Sequence, residues 1–223
     1  MPKAASKRAA ARPRRVGVGR GMVMSGCRPE AALAWARRGL GPATVASLDG
    51  WTLVTPAGQP AARPPYADAV RVLAGRPVGL RMRPALGFFQ VGRQAVVTVH
   101  GRRWRAVTRW AMWTPGEALV TVSDLAPARP IDIIAAAATV PPEEVDDTER
   151  VLRAILRDGG RDAPGVLAAL FAALGLPGIE VLAGLTDPTE LPGAQTVAPH
   201  PRHARAFDRV VVEENRYRAE LGF

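Results

Sequence analysis

Two histidines three residues apart, His200 and His203 in the run Pro199-His200-Pro201-Arg202-His203, come closest to a metal or acid–base site, with Asp208 or Glu213 near them in sequence. A zinc centre or a catalytic dyad needs a third ligand, or a nucleophile and an oriented base, at a defined spacing. Neither follows, so the pair reads as part of a proline-bounded surface loop. Glu143, Glu144, Asp146, Asp147 and Glu149 offer carboxylate oxygens of the kind that hold a divalent cation. They crowd the first turns of a helix entered through Pro141-Pro142, whereas Arg150, Arg153 and Arg157 occupy its later turns. That order complements the helix dipole and allows Asp146–Arg150 and Glu149–Arg153 pairs at four-residue spacing, so the cluster reads as helix chemistry. His100, beside Gly101 at a hairpin end, has no nucleophile motif next to it. Gly-Val-Gly-Arg-Gly at 17–21 has neither the preceding strand nor the Lys-Ser/Thr of a phosphate loop, and Gly-x-Ser-x-Gly and His-Glu-x-x-His do not occur. No catalytic, cofactor or metal residue is assigned, and an enzyme of unknown chemistry near His200 and His203 ranks third among the functional readings.

Arginine outnumbers lysine 28 to 2 beside abundant alanine, glycine and proline, a bias that fits a G+C-rich bacterial genome and weakens any argument from arginine alone. Position says more. Residues 1–20 carry seven basic and no acidic side chains, residues 69–116 carry nine arginines and no acid, and residues 117–223 carry ten basic and seventeen acidic side chains. The net charge of +10 is therefore split between a basic front and an acidic back. Such a split suits an acidic partner such as nucleic acid, or neutralisation between the two halves within one fold or across a homo-oligomer.

The elements that must carry these charges centre on residues 86–122, read as four antiparallel strands turned at Gly92-Arg93, Gly101 and Pro115-Gly116. Alternation along the third run predicts Trp104, Ala106, Thr108, Trp110 and Met112 on a core face, with Arg103, Arg105 and Arg109 on the opposite, basic face. Val78, Leu80 and Met82 alternate with Gly79, Arg81 and Arg83, predicting a strand that extends that face. Arg81, Arg83, Arg103, Arg105, Arg109 and Trp113 form the candidate surface for an anionic partner, arginines for phosphates and the indole for stacking.

Around the meander, the pattern predicts a helix at 29–39, a hairpin at 44–55 turning on Asp49-Gly50, and a helix ending at Gly75. Helices follow at 129–138, 142–157 and 163–174, then a short strand at 179–182 and a last helix at 202–221 docked through Phe207, Val210, Val211, Tyr217 and Leu221. A helix stopped by Gly-Leu occurs both in AALAWARRGLGP and in LAALFAALGLPG, which reads as one stop signal used twice. The fold class is α+β: an antiparallel β-meander extended by a hairpin, with packed helices and a helical C-terminal half. Residues 1–24 read as a disordered basic tail, 25–126 as a mixed half holding the sheet, and 127–223 as a mainly helical half packed on it, together one domain. Met22 and Met24 offer alternative translation starts. Met24-Ser25-Gly26-Cys27 looks like a lipoprotein cleavage site without the continuous apolar segment that should precede it.

The order of a helix ending in Leu73-Ala74-Gly75-Arg76-Pro77, then a strand, a meander and a helix, resembles part of a type VII secretion chaperone. The likeness bears on fold alone and assigns no site residue. Cys27, the single cysteine, excludes an internal disulfide and fits a reducing cytoplasm, and no apolar run approaches the roughly 20 residues of a membrane span. The leading expectation is a non-enzymatic cytoplasmic protein, without cofactor, that binds a protein partner or itself. Second comes a nucleic-acid-binding protein that uses the basic tail and the arginine-rich strand face.

Overall fold

A computed structural model describes residues 20–220 apart from 61, 63–65 and 103–106. Its centre is an antiparallel sheet of eight strands in the order β7-β6-β5-β4-β1-β3-β2-β8. The strands are β1 (Arg20–Ser25), β2 (Ala43–Leu48), β3 (Trp51–Pro56), β4 (Ala85–Val91), β5 (Gln94–His100), β6 (Arg109–Thr114), β7 (Ala118–Val120) and β8 (Gln195–Val197). Among the described residues seven α-helices accompany them: α1 (Pro29–Ala36), α2 (Ala69–Ala74), α3 (Pro130–Ala137), α4 (Val145–Arg157), α5 (Ala163–Leu174), α6 (Ile179–Ala183) and α7 (Pro201–Glu220). The fold is α+β, and the meander β4-β5-β6-β7 and the hairpin β2-β3 stand where the sequence places them. Asp49 and Gly50 turn the hairpin with φ of 46° and 81°, a geometry that matches the twist of the strands they join.

Both faces of the sheet are covered, which departs from the expected basic face. Helices α3 to α6 pack on one side against Met22, Met24, Leu53, Phe88, Val97 and Trp113, with the Phe88 and Phe171 rings 4.6 Å apart between centroids. Helices α1 and α2 pack on the other against Val23, Val54, Phe89 and Val96. Strands β1, β4 and β5 are consequently buried at nearly every position rather than at alternate ones. Along β6, Ala111 and Trp113 enter the α3–α6 core, while Trp110 and Met112 lie half-buried against the other.

Four further placements differ from the sequence reading. Strand β1 falls inside the supposed tail, yet it sits mid-sheet between β3 and β4, with Met22 and Met24 fully buried. Residues 80–82 form a single 3-10 turn instead of a strand. The segment 179–183 is helix α6, bracketed by Gly178 and Gly184 at φ of 95° and 70°, instead of a strand. Helix α7 does not dock along its length: Val210 and Val212 are 58% and 60% exposed. The Tyr217 side chain and Leu221 lie outside the described residues.

Local chemistry explains several helix boundaries. Asp68 caps α2 by accepting from the Val70 and Arg71 N–H groups, and Asp162 caps α5 by accepting from Gly165 N. Gly175 ends α5 in the left-handed conformation, and Leu176 N–H returns to the Phe171 carbonyl. Gly39 is absent from the positive-φ glycines, so the two Gly-Leu stops differ, and strand β2 follows one whereas helix α6 follows the other. In α4 the Glu149–Arg153 pair forms as expected, but Arg150 pairs with Asp147 at 2.8 Å rather than with Asp146.

Candidate functional site: a cationic groove beside the first turns of α7

Among the described residues, the sequence-derived anionic-partner surface does not assemble as one face. Trp113 is 1% exposed and its indole N–H donates to the Asp158 carbonyl at 3.1 Å, so burial corrects its role from stacking platform to core residue. Arg109 shares the inner face with Trp113; its Nε lies 3.9 Å from Asp132 Oδ2 and its guanidinium donates to the Pro127 carbonyl. Arg83 Nε donates to the Val78 carbonyl at 3.0 Å, and Arg81 projects from the 3-10 turn into solvent. Arg103 and Arg105 lie outside the described residues. A recess of about 720 Å³ near α3 does gather Arg102, Arg109 and Arg129, but Asp132 stands among them. Arg129 grips that carboxylate through Nε and a terminal nitrogen, each at 3.1 Å. Those hydrogen bonds, foremost the side-chain ones, hold Asp132 below the usual carboxylate range, so it stays charged and supplies internal balance.

A different place in the fold brings cations together with few acids. A groove of about 470 Å³ opens between the C-terminal end of α1, the outer side of α2 and the first turns of α7. Its apolar walls include Leu40, Tyr66, Val72, Pro77 and Phe207, and its cationic groups are Arg38, Arg71 and Arg76, with His203 beside them. Two contacts bring α7 there: His200 N–H donates to the Arg37 carbonyl at 2.9 Å, and Phe207 meets Tyr66 edge to face with centroids 4.8 Å apart. Aromatic edge-to-face pairs of this kind contribute about 1 kcal/mol beyond the area they bury.

Arg76 forms the floor. Its guanidinium lies over the Trp35 ring, 3.8 Å from the centroid, and donates to the Trp35 carbonyl. Trp35 is held in turn by its indole N–H, which donates to the Pro77 carbonyl at 2.9 Å. Burial, and then the charge of Arg38, lower the Arg76 pKa to about 10, so it remains a cation at neutral pH. Among the described residues no carboxylate pairs with Arg76 or with Arg38. Asp68, the nearby acid, is engaged in capping α2 and lies 3.8 Å from Arg71. A largely buried cation with no counter-charge is an unusual expense for a fold, and an arriving anion removes it.

His203 belongs to this groove, and His200 stands beside it with ring centroids 6.0 Å apart. Partial desolvation, followed by the charges of Arg202, His200, Arg38 and Arg76, holds His203 below the ordinary histidine range. Surroundings so positive repel a metal cation and attract an anion. Among the described residues no three His, Cys, Asp or Glu side chains cluster as a metal site. Sequence reasoning found His203 but not the groove, whose walls come from three separated stretches; Arg76 was visible only as a charge between Gly75 and Pro77.

Comparison with protein-family models, with curated proteins and with solved structures found no match. The resemblance to a type VII secretion chaperone gains no support from those comparisons, and the expected strand after Pro77 is a 3-10 turn. No described helix is long and apolar enough to cross a membrane.

Proposed function

We propose that the chain is a non-enzymatic protein-binding protein that works in the cytoplasm and receives its partner in the groove between α1, α2 and α7. The observation that carries this reading is Arg76: a largely buried guanidinium without a carboxylate partner among the described residues, at the floor of an apolar-walled groove. Desolvated cations set among apolar and aromatic groups are characteristic of the energetic centres of protein interfaces, where arginine and tyrosine are enriched. Nucleic-acid binding has less support, because Trp113 is core and Arg109 faces Asp132.

Site-specific photo-crosslinking tests the assignment. A photoreactive residue at Val72, in the groove wall, is expected to capture one defined protein in the native cell, and the same residue at Val151, exposed on α4, is expected not to. Equal capture at both positions, or none at Val72, would overturn the placement.

A further inference from the structure

Resting on that reading, we infer that the segment received in the groove is an acidic peptide carrying a large apolar side chain, its carboxylate set between Arg76 and Arg38 and its apolar side chain against Tyr66 and Phe207. Three observations specify this occupant. The cations and the apolar walls belong to one groove, so a purely anionic ligand such as inorganic phosphate leaves the walls wet, and a purely apolar one leaves Arg76 unpaired. Next, the guanidinium of Arg76 is fixed in place before any ligand arrives, stacked on Trp35 and bonded to its carbonyl, so little side-chain freedom is lost when a carboxylate docks. Finally, the cations come from separate stretches, Arg38 just after α1, Arg71 on α2 and Arg76 after α2, so they converge on a volume rather than line a track. A nucleic-acid backbone needs a track of regularly spaced positive charge; a short acidic segment needs a convergent pocket.

The volume suits a side chain with a short stretch of backbone rather than a folded surface. At about 470 Å³ the groove falls in the range of sites that enclose a small ligand. Within the chain, the acidic first turns of α4 lie on the far side of the sheet from α1 and α2, so this molecule does not fill its own groove with them.

Fluorescence anisotropy with short blocked peptides tests the inference on the full chain. Peptides alternating Asp or Glu with Phe or Leu are the probe, with Asn and Gln versions of the same peptides and a mixed-sequence single-stranded DNA for comparison. The expected result is saturable binding of the acidic peptides, weakened about tenfold or more in their amide versions and in the Arg76→Glu protein. Because Arg76 also supports Trp35, Arg38→Glu provides a second variant: Arg38 is exposed and, among the described residues, its side chain donates only to the Ala34 carbonyl, while its backbone bond to Trp35 is kept by any residue, so the fold survives its loss. Equal binding of acidic and amide peptides would overturn the carboxylate assignment while leaving the groove as a protein-binding site. Failure of every peptide to bind would overturn the occupant, with the crosslinking result at Val72 still standing on its own. Tighter DNA binding, lost in the same two variants, would overturn both.

Discussion

Among single residues, His100 has the clearest electrostatic consequence. It is 2% exposed on β5, its Nδ1 lies 3.2 Å from Thr108 Oγ1, and burial, then the charge of Arg83, lower its pKa to about 4. The folded protein therefore holds His100 neutral under conditions where the unfolded chain, with a pKa near 6.5, takes up a proton. Stability is unaffected above that value, declines as pH falls from about 6.5 to about 4, and loses on the order of 3 kcal/mol across the window from this one group. His203 shifts in the same direction. Asp132, Asp158 and Asp187 have depressed values, and their contributions disappear only below the ordinary carboxylate range. Urea midpoints measured from pH 7 to pH 4 in a His203→Gln background check this, and a flat profile would contradict a neutral His100. Nothing in the sequence around His100 announced its burial. Its place beside Gly101 suggested a rim, but His100 is the last residue of β5 and lies buried, and β6 begins only at Arg109.

Among elements, the pairing of β1 with β4 depends on two glycines and one ring. The Phe89 side chain lies so close over Gly21 and Gly87 that a β-carbon added at either glycine would collide with the ring, and one at Gly87 would also strike Thr98 Oγ1. Both glycines serve close approach rather than an unusual backbone angle. Gly87→Ala is expected to destabilise the protein by about 1–3 kcal/mol, visible as a lower denaturant midpoint, because the ring it would strike is fully buried. An unchanged midpoint would show that the ring can relocate. Strand β1 was also the element least legible in the sequence: RGMVMS continues a basic, glycine-containing stretch, and methionines give little strand signal. Helix α6 failed for another reason, since IEVLA is short enough to alternate like a strand and only the left-handed glycines at its ends distinguish it. Long or well-punctuated elements, the Asp49-Gly50 hairpin and helices α4 and α5, were readable because turn chemistry and caps agree with apolar periodicity.

For the whole molecule, chain order and spatial order diverge. Strand β8, drawn from residues 195–197, pairs with β2, and the Thr196 and Thr44 hydroxyls meet at 2.8 Å. Strand β1, from the other end of the described chain, pairs with β3 and β4. A sheet that joins both ends and is buried on both faces should unfold in a single cooperative transition. Far-ultraviolet circular dichroism and tryptophan fluorescence are expected to give coincident denaturant curves, and separated curves would indicate that the α3–α6 layer melts independently. The same geometry alters the meaning of the charge split. The basic α1–α2 layer and the acidic α3–α6 layer sit on opposite sides of the sheet, so most of their charges face outward rather than each other. Counting charges along the chain showed the asymmetry; only the packing of the helices shows the two layers with the sheet between them, Arg109 of the sheet meeting Asp132 on the α3–α6 side.

Each end of the sheet terminates in a strand of three residues, β7 at one end and β8 at the other. A visiting polypeptide that tried to extend the sheet would find only one or two outward backbone groups to bond at either edge, too few to fix a register. Recognition by strand addition is thereby disfavoured at both edges, and so is the edge-to-edge stacking through which exposed sheets aggregate. A partner received in the proposed groove would then be selected by its side chains.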